Sequence, residues 1–229
     1  MARTGGGGTE VSDRLRIVGV SGPIAAGKSL VTARLVADAD FVAAIGGPVA
    51  LIDADATLRE GRRQPGTLRD AIVALHPAAR LPDGSLDARL LADAAFGDAQ
   101  LLARLEALQW PIAADAIAAA QSAAKDRGAA LLLIEAIALL RSGLAARCDA
   151  LLLIDAPREL RAARFVARGG SRADFDRRDA AQAGLADALR AAGAIEIDAS
   201  GSPEAVAAAA GEAIRRVCFT GDDPINPRR

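Results

Sequence analysis

The chain has 229 residues, of which 52% are hydrophobic and 25% charged, and its formal net charge is −1. There is no excess of basic residues to neutralise phosphates, so nucleic-acid binding is not expected, and the chain is too apolar to be disordered. It has no run of about 18 apolar residues that would predict a membrane span. Gly5–Gly8 lie where a signal peptide needs an apolar segment, so we expect a cytoplasmic protein.

Apolar runs alternate with segments of helical composition along the chain. The runs are short and end in glycine or acidic residues, which is typical of buried parallel strands. Predicted strands cover 15–20, 49–52, 129–134, 150–154 and 194–197. Predicted helices cover 29–44, 68–75, 86–95, 99–108, 112–125, 158–168, 172–192 and 203–217. This order predicts an α/β fold with a five-stranded parallel sheet covered by helices on both faces, and ligands in such folds bind beyond the carboxyl ends of the strands.

A phosphate-binding motif follows the first predicted strand. The segment from Gly22 to Ser29 matches the pattern G-x-x-x-x-G-K-[ST] and opens a predicted helix. In such loops, glycines let backbone amides turn toward phosphate oxygens, the lysine places a charge on the β and γ phosphates, and the serine hydroxyl is offered to Mg²⁺. We expect nucleotide contacts from these loop residues: Gly22, Ala25, Ala26, Gly27, Lys28, Ser29 and Leu30. The alternative is a glycine-rich turn with an exposed lysine.

Lysine is rare in this chain. Arginine supplies nearly all of the 28 basic residues, and the two lysines are Lys28 and Lys125. A lysine that persists in such a composition is a candidate for chemistry that the larger guanidinium group cannot perform. Lys28, inside the motif, is such a candidate.

Three carboxylates follow predicted strands. Asp53 and Asp55 come after the second strand, and either could accept a proton from an attacking hydroxyl or hold Mg²⁺ through water. Glu135 follows the third strand, at a position typical of an acid that coordinates Mg²⁺ indirectly. For each, the alternative is a residue that caps a helix.

Three arginines share one predicted helical face. Arg161, Arg164 and Arg168 are spaced i, i+3, i+7, and like charges on one face favour an anionic partner such as a transferring phosphoryl group. A solvated face is the alternative.

Four less common residues are expected to be structural. His76, the single histidine, is predicted to lie at the surface, and Trp110, the single tryptophan, to anchor a core or an interface. Cys148 and Cys218 lack metal-ligand spacing and are expected to be buried reduced thiols.

From about Arg16 to Val217, the order of motifs resembles the dephospho-CoA kinase family. Besides the phosphate loop, Arg164 and Arg168, the resembling segments are LIDAD (51–55), DGSLD (83–87) with Phe96 and Asp98, LEA (105–107), PI (111–112), SGL (142–144) with Asp149, LIDAP (153–157), AAQ (180–182), and Asp198 with Ser200 and Gly201.

The resemblance implies a P-loop kinase three-layer fold and an ATP- and Mg²⁺-dependent kinase acting on a small-molecule acceptor. Asp55 would accept the proton of the 3′-hydroxyl of dephospho-CoA, Arg168 with Arg164 would stabilise the phosphoryl group, and Ser200 would lie at the adenine side. Ser29 and Glu135 would serve the metal.

The resemblance also implies a division of the chain into parts. Residues 14–66 and 129–218 would form the nucleotide-binding core, with a helical lid at about 158–192. Residues 67–128 would form a helical acceptor-binding insertion, and 1–13 and 219–229 would be loose tails.

The chain departs from the family pattern mainly on the acceptor side. Trp110 replaces a histidine, Glu135 an aspartate, Ile137 a proline, Arg141 a glutamate and Ala199 an asparagine, and about ten extra residues precede the second strand around 39–47. Two alternatives follow, namely a kinase of the same fold for another hydroxyl-bearing metabolite and a non-catalytic nucleotide binder. The sequence does not indicate an oligomeric state.

Overall fold

The computed structural model describes residues 14–220, so the predicted tails at 1–13 and 221–229 lie outside the described residues. The strands are β1 (Arg16–Ser21), β2 (Val49–Asp53), β3 (Leu131–Glu135), β4 (Ala150–Asp155) and β5 (Ile195–Asp198). The helices are α1 (Lys28–Ala37), α2 (Ala39–Ala44), α3 (Ala54–Arg63), α4 (Thr67–Leu75), α5 (Ala88–Gly97), α6 (Ala99–Asp126), α7 (Arg158–Ala167), α8 (Arg172–Ala181), α9 (Leu185–Ala191) and α10 (Pro203–Phe219). Short 3₁₀ turns occupy Pro77–Ala79 and Leu144–Arg147.

The five strands form one sheet in the order β2-β3-β1-β4-β5, and every neighbouring pair is parallel. This confirms the predicted α/β class with a five-stranded parallel sheet. β1 and β3 lie side by side near the middle, with Val20 opposite Glu135 at their carboxyl ends. The loop after β1 and the acid that closes β3 therefore meet at one edge of the sheet.

The sheet is covered on both faces, as the continuous apolar strands predicted. One core packs β-strand side chains against α1 and α10, and the other packs them against α6 and the 3₁₀ turn at Leu144–Arg147. All five residues of β3 are buried. A third core lies inside the helical segment α4–α6, where leucines and isoleucines such as Leu68, Ile72 and Leu105 pack together. The segment therefore has its own apolar interior beside the sheet.

Two predicted helices are each divided in two. The helix predicted over 29–44 stops at Ala37, because the Asp38 carboxylate accepts hydrogen bonds from the amides of Asp40 and Phe41 and starts α2. The helix predicted over 172–192 divides into α8 and α9 around Gly184, whose φ of 76° lies in the left-handed region. In both places, a residue that favours a turn or a helix cap lies within a segment whose composition is otherwise typical of a helix.

The helix prediction failed at two further places, one before and one inside the predicted insertion at 67–128. α3 was not predicted, because charged residues outnumber apolar ones along it. Asp53 caps the helix by accepting a hydrogen bond from the amide of Ala56. Conversely, the segments 99–108 and 112–125 form one continuous helix, α6, with Pro111 inside it. Proline removes one helical hydrogen bond but does not always end a helix, and here both flanks are strong helix formers.

The last helix extends to Phe219, two residues beyond its predicted end at Val217, so Phe219 is helical and does not belong to a tail. Within residues 14–220, even the 28-residue α6 lacks the sustained apolarity that a membrane-crossing helix requires.

At Gly22 the loop after β1 passes close to β4. Its φ is 150°, and a Cβ atom placed on it would lie 2.0 Å from the backbone oxygen of Ile154. Since that oxygen belongs to the strand, it cannot move aside cheaply.

We therefore predict that Gly22→Ala lowers the free energy of unfolding by more than about 2 kcal/mol, through backbone strain and the steric clash with β4. Chemical denaturation followed by circular dichroism measures the loss. The control is Gly97→Ala at the end of α5, where an added Cβ meets nothing within 4 Å; it should change stability by no more than about 1 kcal/mol. Equal effects of the two substitutions would contradict the close approach.

Candidate active site

The phosphate-binding motif forms the connection between β1 and α1 at the carboxyl edge of the sheet. β1 ends at Ser21 and α1 begins at Lys28, which is the strand–loop–helix context that the motif requires. Ala25 has a φ of 60° and Gly27 a φ of 113°, so two loop residues adopt left-handed backbone conformations. Such turns direct successive backbone amides toward one point and form an anion-binding concavity with the N-terminus of α1.

Lys28 is buried, contrary to the alternative of an exposed lysine in a turn. Its side chain is 8% exposed, and its Nζ donates hydrogen bonds to the carbonyl oxygens of Gly22 at 2.8 Å and Pro23 at 3.3 Å. Burial lowers the pKa of Lys28, while the charges of Glu135 and Asp55 act in the opposite direction. The ammonium is therefore held at a fixed point of the loop and balanced by carboxylates.

Both carboxylate oxygens of Glu135 accept hydrogen bonds from hydroxyl groups of α1. Ser29 Oγ donates to Glu135 Oε1 at 2.6 Å, and Thr32 Oγ1 donates to Glu135 Oε2 at 3.1 Å. Burial raises the pKa of Glu135, and these hydrogen bonds oppose the rise. Ser29 and Glu135, the two residues predicted to serve the metal, are therefore in hydrogen-bond contact. Sequence reasoning missed Thr32, although its i+3 spacing from Ser29 places both hydroxyls on one face of α1.

The two aspartates after β2 have different surroundings. Asp53 caps α3 through the amide of Ala56, as one of the sequence alternatives proposed. Asp55 instead accepts a hydrogen bond from the backbone amide of Ile137 at 3.0 Å, which ties it to the segment after β3. Burial raises the pKa of Asp55, and the Ile137 amide and the Lys28 charge counteract this. Asp55 is therefore a partly desolvated carboxylate that is fixed by the segment after β3 and acted on by the charge of Lys28.

The three arginines predicted to share a face have three different environments. Arg161 is 8% exposed and its Nη1 donates to Asp179 Oδ1 at 2.6 Å, so it holds α7 against α8. Arg164 is half-buried and donates to the carbonyl oxygens of Ala26 at 3.3 Å and Ala199 at 2.7 Å. Arg168 caps α7 and is exposed, yet its charge acts on Lys28. Arg168 therefore has the freest guanidinium of the three beside the loop.

The predicted lid contacts the phosphate loop directly. Gln182, after α8, accepts a hydrogen bond from the amide of Ile24 at 2.6 Å, and Arg161 Nη1 also reaches the Ile24 carbonyl at 3.3 Å. Ser200 is exposed in the turn after β5, where its amide donates to Asp198. Ser200 follows Ala199, whose carbonyl Arg164 contacts, so it lies at the same edge of the sheet as the loop.

The remaining singled-out residues lie away from this group of charges. His76 is half-buried at the end of α4, and Trp110 is half-buried within α6. Cys218 is buried and Cys148 is half-buried; both thiols are free, and burial raises the pKa of each to about 11. Sequence reasoning also missed Arg59 of α3, whose charge acts on Asp55.

Within residues 14–220 there is no cluster of three or more His, Cys, Asp or Glu side chains able to hold a metal ion by themselves. The hydroxyl of Ser29 and the carboxylate of Glu135 are nevertheless the oxygen donors that Mg²⁺ accepts. This donor set fits an ion that is held mainly by phosphate oxygens of a nucleotide and only supported by the protein.

Three features together define a P-loop kinase: a parallel sheet, a phosphate loop between its central strand and a helix, and a buried loop lysine. A sequence model of the dephospho-CoA kinase family matches residues 16–204. The chain belongs to the dephospho-CoA kinase family.

Two relatives resemble the chain over nearly their whole length. A dephospho-CoA kinase of Deinococcus radiodurans is 35% identical over 206 residues, covering 90% of this chain and 94% of that protein. A dephospho-CoA kinase of Anaeromyxobacter dehalogenans is 34% identical over 196 residues, covering 84% of this chain and 88% of that protein.

Solved structures share the fold. A crystal structure of a Thermus thermophilus protein has a TM-score of 0.69 and 28% identity, covering 89% of this chain and 98% of that one. The dephospho-CoA kinase of Campylobacter jejuni has a TM-score of 0.53 and 17% identity, covering 88% and 96%. These structures confirm the predicted fold, and the family model together with the two curated relatives confirms the predicted family and kinase activity.

The hydrogen bond between Thr32 and Glu135 offers a test of how the site is held. Thr32 is fully buried, and valine has nearly the same shape without the hydroxyl. We predict that Thr32→Val destabilises the protein by about 1–2 kcal/mol, because Glu135 loses a donor inside the protein. Thermal denaturation measures the change. Thr67→Val, at an exposed position at the start of α4, is the control and should shift stability by less than about 0.5 kcal/mol; parity between the variants would refute the role of the hydroxyl.

Proposed function

We propose that this protein transfers the γ-phosphoryl group of ATP to the 3′-hydroxyl of dephospho-CoA, giving CoA. The observation that carries the proposal is the position of Asp55 in one charge group with the loop lysine Lys28, in a chain of the dephospho-CoA kinase family. This pairing supplies an ammonium for the donor phosphates and a base for the acceptor hydroxyl within one site.

On the donor side, backbone amides of the loop and of the start of α1 would bind the phosphates of ATP. The residues concerned are Gly22, Ala25, Ala26, Gly27, Lys28, Ser29 and Leu30. Lys28 Nζ, now directed at loop carbonyls, would contact the β and γ phosphates, and Ser200 would lie beside adenine. Ser29 and Glu135 would support Mg²⁺, whose charge offsets that of the phosphates.

On the acceptor side, Asp55 would orient the 3′-hydroxyl and take its proton. A bond forms between the acceptor oxygen and the γ-phosphorus as the bond from that phosphorus to the β–γ bridging oxygen breaks, and ADP carries away the electron pair. The backbone amide of Ile137 donates a hydrogen bond to one oxygen of the Asp55 carboxylate and fixes the orientation of this group. The second carboxylate oxygen therefore points away from this hydrogen bond.

The lid would complete the site. Arg168, which is exposed beside the loop, would stabilise the phosphoryl group in flight, and Arg164 would assist while holding Ala26 and Ala199 in place. We assign the lid to about 158–192, the core to 14–66 and 129–218, and the acceptor-binding part to 67–128. A cytoplasmic location follows as part of the proposal, since ATP is abundant there.

A kinase of the same fold for a different hydroxyl-bearing metabolite is the second candidate. Ile137 and Arg141 lie in the segment that holds Asp55, and Arg141 forms an ion pair with Glu106 of α6. A family-atypical residue therefore links the core to the acceptor-binding helices.

We predict turnover when the purified protein is incubated with Mg-ATP and dephospho-CoA and ADP release is followed. Asp55→Asn should lower kcat by about 10²–10⁴, the usual contribution of a positioned base, while ATP binding measured by calorimetry is retained. Asp38→Asn is the control, because Asp38 caps α2 and asparagine caps a helix equally well. No turnover by a protein that binds ATP normally would exclude dephospho-CoA, and a panel of other hydroxyl-bearing metabolites would then test the second candidate.

The raised pKa of Asp55 predicts the form of the pH profile. A base must be ionised, so kcat/KM for dephospho-CoA at saturating ATP should fall on the acid side at a pH above about 3.9, the value for an unperturbed aspartate. Asp55→Glu keeps an ionisable carboxyl and should move this limb, whereas Asp38→Asn should leave it in place. A limb that is identical in the wild type and Asp55→Glu would exclude Asp55 as the group that titrates.

A further inference from the structure

α3 carries a row of charges that begins at the proposed base. Asp55, Arg59 and Arg62 are spaced i, i+4, i+7 and therefore lie on one face of the helix. The rise of an α-helix places Arg59 about 6 Å and Arg62 about 10 Å from Asp55 along the helix axis. Electrostatic interactions link the three groups, since Arg59 acts on Asp55 and both act on Arg62.

The guanidinium group of Arg62 is hydrogen-bonded to a neutral side chain. It is half-buried, and Nη1 donates to the neutral amide oxygen of Gln109 in α6. Among the ion pairs within residues 14–220, none includes Arg59 or Arg62, whereas nearby Arg141 pairs with Glu106. Burial and the charge of Arg59 lower the pKa of Arg62, so an anion between the two guanidinium groups would relieve an existing repulsion.

Gln109 fixes the position of this guanidinium. Its Nε2 donates to the carbonyl of Leu105 at 3.0 Å, which leaves Oε1 directed at Arg62. Because α3 packs against both α4 and α6, the row of charges follows the junction between the core and the proposed acceptor-binding helices. A ligand whose hydroxyl reaches Asp55 would extend along that junction.

We propose that Arg59 and Arg62 form a subsite for a diphosphate group of the acceptor, located one to two helical turns from the base. The inference rests on the proposed function. Dephospho-CoA carries its diphosphate on the 5′ carbon of the same ribose that bears the reacting 3′-hydroxyl, so both groups can be held together. Guanidinium groups bind phosphates through paired hydrogen bonds, which suits a group of fixed geometry.

The test compares Arg59→Gln and Arg62→Gln with Arg63→Gln, which removes the same charge from an exposed neighbour outside the row. KM values for dephospho-CoA and for ATP are measured, together with the Kd for dephospho-CoA by calorimetry. Arg59→Gln and Arg62→Gln should each raise the KM and Kd for dephospho-CoA about tenfold, with the KM for ATP unchanged, whereas Arg63→Gln should alter neither by more than about twofold.

The two proposals fail in different ways. Equal effects of the three substitutions, or a loss in kcat without a change in Kd, would overturn the subsite while wild-type turnover still supports the kinase reaction. Wild-type binding without turnover would overturn the reaction alone, because the Kd comparison still decides the subsite. Adenosine, which has the ribose hydroxyl but no diphosphate, provides a further readout as a competitor: its inhibition constant should be the same in the wild type and Arg62→Gln, and a tenfold weakening would assign Arg62 to the nucleoside instead.

Discussion

The burial of one positive charge organises this protein. An ammonium group inside a protein is costly unless it is paired and hydrogen-bonded, and Lys28 obtains both from its surroundings. Its hydrogen bonds go to carbonyls of its own loop, and the opposing charges come from residues at the ends of β2 and β3 and the start of α3. The parallel sheet brings these strand ends together. Strand order, loop conformation and the placement of the carboxylates together meet this electrostatic requirement.

The parts of the fold that could be predicted are those in which local pattern and tertiary environment agree. The five strands are apolar throughout because both faces of the sheet are covered, and each was predicted to within two residues of its observed bounds. α3 could not be predicted in this way, because its charged face serves a junction and not a core. The division at Asp38 also required a tertiary view, since Asp38 is compatible with a helix interior until its carboxylate is seen to accept two amides.

The candidate site also contains residues whose positions could be predicted and residues whose positions could not. Lys28, Ser29 and Glu135 follow from the loop motif and from strand ends, so their proximity was foreseeable. Residue spacing alone did not separate Asp53 from Asp55, because both follow β2, and the choice of Asp55 came from the family resemblance. The hydrogen bonds of the folded chain distinguish the two: Asp53 caps α3, and Asp55 accepts from the amide of Ile137. The environments of the three arginines predicted to share a face depend on contacts between helices, which residue spacing does not reveal. Arg161, for example, is hydrogen-bonded to Asp179.

The location of Trp110 gives the protein an internal optical reporter. The chain contains one tryptophan and no tyrosine, and the tryptophan lies half-buried in α6, next to Gln109, which holds Arg62. Ultraviolet-excited tryptophan emission from the unlabelled protein therefore originates at a single residue of α6, the helix that packs against α3. A change in the surroundings of α6 can therefore be followed as a change in emission wavelength without any introduced dye.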